Sequence, residues 1–135
     1  MFASQDRDTL RAAWHEAWRR HVTGAPLEPL QAQMVDVIAA HPEYHGQLTG
    51  TAPATDPAQG NAYLHLGLHL ALREQVGTDR PAGIRAVHQR LTRDGAQRHA
   101  GEHRMIEVLG QTLWDAQRAG RAPDEQAYLE ALRRL

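Results

Sequence analysis

Apolar side chains recur at intervals of three and four residues along most of this chain, the spacing of one face of an α-helix. β-Branched residues are few, and no strand is predicted. A first helix is predicted over about 6–21, with Leu10, Trp14, Ala17 and Trp18 as its apolar stripe and Gly24 as its stop. A second opens near Pro29, a favoured first-turn residue, and carries Leu30, Met34, Val37 and Ile38 on one side, continued by His41. Pro42 disfavours helix at His41 but can begin a short new turn through Glu43, Tyr44 and His45. Residues 46–60 are small, polar and rich in Gly, Pro and Thr, and are expected to form the longest loop.

Asn61 is then the expected cap of a third helix reaching about Val76. Leu64, Leu66, Leu68, Leu70 and Leu72 make it apolar nearly all round, so it is expected to be the buried central helix. Pro81 is expected to open a fourth segment lined by Ile84, Val87, His88 and Leu91 and ended by Gly95. A long helix follows over about 96–118, with Ile106, Leu109, Leu113 and Trp114 as core candidates and Gly120 as its break. Pro123 and Asp124 begin a last amphipathic segment bearing Tyr128, Leu129, Leu132 and Leu135. The fold class is all-α: one domain over 1–135, a bundle of four main helices plus shorter helical pieces.

Composition narrows the chemistry. With 41% hydrophobic residues and a formal net charge of -1, the chain reads as an ordinary globular protein. Its basic residues are all Arg and are scattered, so neither nucleic acid nor a membrane surface is an expected partner. No apolar run approaches a membrane span, and the first ten residues lack the apolar core of a signal peptide, so a cytoplasmic location is expected. The oligomeric state is not legible. Cys and Lys are absent, which removes thiol nucleophiles, thiolate metal sites, Schiff bases and a phosphate-binding lysine. The one serine, Ser4, lies at the terminus, so a serine hydrolase is not expected. Nine histidines remain as the carriers of any chemistry.

Six of them form three pairs of one spacing: His41 with His45, His65 with His69, and His99 with His103, the last extended by Glu107. Residues four apart share a helix face, about 6 Å apart along the axis, so two imidazoles so placed can converge on one ion. Projected at 100° per residue, His99, His103 and Glu107 share a sector with Ile106, Gly110 and Trp114. His65 and His69 likewise share a side with Leu68, Leu72 and Val76. Burying so many polar groups without hydrogen bonds or a metal would be costly. A hydrogen-bonded core of histidines is the competing explanation. His88 is a reserve ligand, Glu43 an even choice between carboxylate ligand and surface residue, and Glu74 a structural ion-pair residue. His15 is expected near the surface, and His21 near a helix C-terminus whose dipole favours it. His99-Ala100-Gly101-Glu102-His103 also fits the His-x-x-Glu-His pattern of inverted zinc proteases, with Glu102 as general base, but only three positions are fixed and too little chain follows.

His41-Pro42-Glu43-Tyr44-His45, the stretch from Leu64 to Leu70 leading to Arg73-Glu74-Gln75, and His103 through Gly110 together resemble a family of short bacterial proteins catalogued as a domain of unknown function. The resemblance covers nearly the whole chain. It implies a stand-alone bacterial protein of this length, with no activity assigned, and with Gln often standing where this chain has Glu102. The leading expectation is a metal-binding bundle, most favoured as a non-haem di-iron site on His41, His45, His65, His69, His99, His103 and Glu107, binding, sensing or using a small molecule such as oxygen. A mononuclear zinc site, structural or hydrolytic, is second, and a metal-free interaction module third. No catalytic residue is assigned.

Overall fold

The computed structural model describes residues 2–50 and 62–135, with side chains described from residue 8. The expected cap Asn61 and most of the predicted loop lie outside the described residues. The fold is all-α. The helices are α1 (Phe2–Thr23), α2 (Pro29–Ala39), α3 (His45–Leu48), α4 (Ala62–Thr78), α5 (Ile84–Leu91), α6 (Arg98–Ala119) and α7 (Glu125–Arg133). Short 3-10 turns at Pro42–Tyr44 and Gly95–Gln97 precede α3 and α6. The chain divides into two compact units, Met1–Leu66 and Gly67–Leu135, with the division falling inside α4. No helix among the described residues is long and apolar enough to cross a membrane.

In the first unit α1 packs on α2 and α3. α1 ends where expected: Gly24 takes φ 75°, its N–H donates to His21 O, and Ala25 N–H donates to Arg20 O. Pro29 starts α2, and Gln31 Oε1 accepts from the Glu28 N–H at 2.9 Å. Trp14, Ala17, Trp18, Met34, Val37, Ile38 and Leu48 are buried. Leu10 and Leu30, expected in the stripes, are exposed. Among the described residues of α1 the buried ones, Trp14, Ala17 and Trp18, all lie in its second half. His41 follows α2 outside any helix, as Pro42 requires, and the short helix α3 occupies the start of the predicted loop.

In the second unit Leu72, Ile84, Val87, Met105, Ile106, Leu109, Tyr128, Leu129 and Leu132 form one core. α5 begins at Ile84, three residues after the predicted opening at Pro81. Asp79, at φ 51°, causes the delay: its Oδ1 accepts the Gly83 and Arg85 N–H groups and so supplies the N-terminal acceptor itself. α6 meets the end of α5 at Gly101, where an added Cβ would lie 2.5 Å from the Leu91 carbonyl oxygen. The buried face of α6 runs through Glu102, Met105, Ile106 and Leu109. Leu113 and Trp114, expected in the core, are exposed, Trp114 to 57%. Gly120 ends α6 at φ 67°, as expected. Leu64 on α4, in the first unit, is 59% exposed, so that helix is not buried all round.

α7 starts on Asp124, whose Oδ1 accepts the Ala127 N–H at 3.1 Å. Asp124→Ala should cost about 1 kcal/mol by leaving that donor to water, measured as a shift in urea midpoint at unchanged slope. A shift below the error of the midpoint would show that the cap is energetically idle.

Candidate metal centre

His41 is buried in the first unit by its place at the turn between α2 and α3. Its Nδ1–H donates to Val37 O at 2.7 Å, so Nε2 is the nitrogen that carries the lone pair. That Nε2 lies 3.0 Å from Nε2 of His65, which reaches it from α4. The two rings meet edge to face at 4.8 Å, and Tyr44 stacks on His41 at 5.6 Å. Two imidazole nitrogens each about 2.1 Å from one ion stand roughly 3.0 Å apart at a right angle and about 3.4 Å apart at the tetrahedral angle. The pair therefore already has the separation of two ligands of one ion.

His45, four residues after His41, is turned to another task. Its Nε2–H donates to Ile38 O at 2.9 Å, and its ring lies against Trp18 at 4.6 Å. His21 packs on the same indole at 5.0 Å. His15 donates through Nδ1 to Leu48 O and accepts at Nε2 from the Tyr63 hydroxyl at 2.7 Å. These bonds order the loop end after α3 and the first turn of α4.

The second unit holds the denser arrangement. His69 is fully buried on α4, and His99 and His103 present half-buried rings from α6. The ring centroids are 5.6 Å apart for His69 and His99, 5.5 Å for His69 and His103, and 3.9 Å for His99 and His103. His69 and His103 each offer a ring nitrogen within 4.8 Å of the other. Beside them Glu102 is buried and receives four donors. His69 Nε2–H and Arg73 Nη2 donate to Oε1 at 2.8 and 3.3 Å; His88 Nε2–H and Arg98 Nε donate to Oε2 at 2.9 and 3.4 Å. Burial alone would raise the Glu102 carboxyl, but the hydrogen bonds from His69 and His88 and the charge of Arg73 hold it well below the ordinary carboxylate range. It is an anion supported from α4, α5 and its own helix.

The structure thus pairs His41 with His65 and His69 with His103, donor sets able to hold a metal ion. His99 stands beside His103, and His45 faces a carbonyl and an indole. Glu107, projected inward on the sequence, is exposed and lines a groove of about 590 Å³ with Gln111, Asp115 and Arg121. The inward face of α6 is the one bearing Glu102, a fraction of a turn away. Glu43 and Glu74 are exposed. The part of the site the sequence reading missed is the role of Glu102 and His88. Its signals were Arg98 four residues before Glu102, and Arg73 four residues after His69. Neither spacing reveals that donors from other helices reach the same carboxylate.

Comparison with curated proteins and with solved structures found no match. The profile of one protein family spans almost the entire chain, and on residues 6–134 this protein belongs to that family, described as Domain of unknown function (DUF1841).

Proposed function

We propose that this protein binds a late first-row divalent metal ion through imidazoles of its second unit, with His69 and His103 as the ligands. The observation that carries the reading is the pinning of His69, which is wholly buried. It is tied through Nε2 to the Glu102 carboxylate. A ligating histidine almost always donates its other N–H to such an acceptor, which fixes the tautomer and raises the basicity of the metal-facing nitrogen. His103 on α6 offers a ring nitrogen within 4.8 Å of one on His69, so the two imidazoles can serve one ion.

The donor chemistry favours one ion over the iron pair expected from sequence. Two divalent ions need bridging oxygens to offset their charge, as the bundle di-iron proteins supply with glutamates. Here the lone pairs of Glu102 are engaged by four donors, and Glu107 faces solvent. An all-imidazole set suits zinc, iron, copper or nickel and has no preference for calcium or magnesium.

Elemental analysis of protein purified without a metal-affinity tag tests this. Wild type should carry about one equivalent of a single late metal or take it up on addition of Zn(II), Fe(II) or Co(II), and His69→Ala should lose it. Chelation should lower the melting temperature of wild type and leave that of His69→Ala unchanged. No uptake of any of the three ions by folded wild type would overturn the reading and leave the histidines as a hydrogen-bonded core.

A further inference from the structure

We infer that Glu102 is the positioning residue of this centre: it holds His69 as the Nε2–H tautomer, so that His69 ligates through Nδ1, and His88 is the anchor of Glu102 and not a ligand. This rests on the reading of His69 as a ligand. A carboxylate has about four lone-pair positions, and Glu102 meets four donors, so it has no position left for a metal. His88 makes the same kind of bond through Nε2 at 2.9 Å but is not among the histidines whose ring nitrogens gather to within 4.8 Å of one another. His41 is held in the opposite sense, with Nδ1 bonded and Nε2 presented. Each buried histidine therefore has its tautomer set by its own acceptor.

An isolated imidazole in water favours the Nε2–H form only modestly and exchanges between tautomers. At His69 exchange would place a lone pair against a buried carboxylate, and burial removes the water that would soften the clash. The carboxylate thus prepares the ligand before any metal arrives. Its amide analogue can do much of the same work, because a glutamine carbonyl oxygen still accepts the His69 Nε2–H, whereas an apolar side chain cannot. Positioning and simple space filling are separated by that contrast.

The test is Co(II) binding by wild type, Glu102→Gln, Glu102→Leu and His88→Ala, followed by the visible cobalt spectrum, with circular dichroism as the check on folding. Glu102→Leu should bind about 10- to 100-fold more weakly, and Glu102→Gln should recover most of the loss. His88→Ala should keep the wild-type band positions, because the number and kind of ligands do not change. Histidine ¹⁵N spectra of metal-free wild type give a second reading that needs no variant to fold, and His69 should appear as the Nε2–H tautomer. A His69 that is Nδ1–H, a Glu102→Leu protein that binds as wild type does, or cobalt bands moved by His88→Ala would each overturn the inference while leaving metal binding intact. Failure of folded wild type to bind cobalt would instead remove the reading on which it rests.

Discussion

Replacing Glu102 by Ala should destabilise the folded protein by about 3–5 kcal/mol, the cost of removing one member of a buried charged network. The magnitude follows from what is left behind. His69 is wholly buried and loses the acceptor of its Nε2–H, and no solvent reaches it in compensation. Arg73, at 23% side-chain exposure, and the more exposed Arg98 keep their positive charges without the anion between them. Partial solvation of the two guanidiniums places the loss nearer the lower end of that range. Chemical denaturation followed by circular dichroism measures it. A loss under about 1 kcal/mol would mean that the network merely replaces hydration it has displaced.

Gly101→Ala is expected to cost about 2 kcal/mol although it replaces glycine in a helix by the best helix former. Intrinsic propensity favours the change by up to about 1 kcal/mol. Against this stands a Cβ 2.5 Å from Leu91 O, 3.1 Å from Leu91 C and 3.2 Å from Thr92 Cγ2. The first two are backbone atoms at the end of α5, so relief requires moving one helix against the other, and overpacking of this kind costs about 1–3 kcal/mol. Gly110→Ala is the internal control. Its Cβ would meet only Leu68 Cδ1 at 3.6 Å, an ordinary contact, and that variant should gain roughly 0.5–1 kcal/mol. If both variants move the urea midpoint upwards, the close approach at Gly101 has no energetic weight.

The helical class, the breaks at Gly24 and Gly120 and the start of the last helix at Asp124 were legible because each is a local event, decided within one turn. Burial was legible only where a neighbouring helix reaches. Trp14 and Trp18 are buried and Leu10 on the same stripe is not, since periodicity reports a face but not how far its partner extends. Leucines at every second position from 64 to 72 spiral around α4 and cannot all turn inward, which is why Leu64 is exposed while Leu66 and Leu72 are buried. On α6 the expected core positions Ile106 and Leu109 are buried, but the projection also turned Glu107 and Trp114 inward, where the structure instead buries Glu102 and Met105. Spacing drew attention to histidines four apart, whereas the structure brings His69 to His103 and His41 to His65, across elements rather than along them. Glu102 could not be valued on sequence alone, because a buried carboxylate is made tolerable by donors distant in the chain.

The distribution of the three tryptophans determines how these stability changes will be seen. Trp14 and Trp18 lie buried in the first unit, whereas Trp114 in the second is already largely in water. Intrinsic fluorescence therefore watches the packing of residues 1–66, while far-ultraviolet ellipticity sums every helix. Recorded on one sample, the two signals become reporters of different parts of the chain. Superimposable melting curves would show the halves unfolding as one cooperative body. An emission change displaced from the ellipticity change would show two melting events, and the Glu102 and Gly101 variants should then shift the one the indoles do not see.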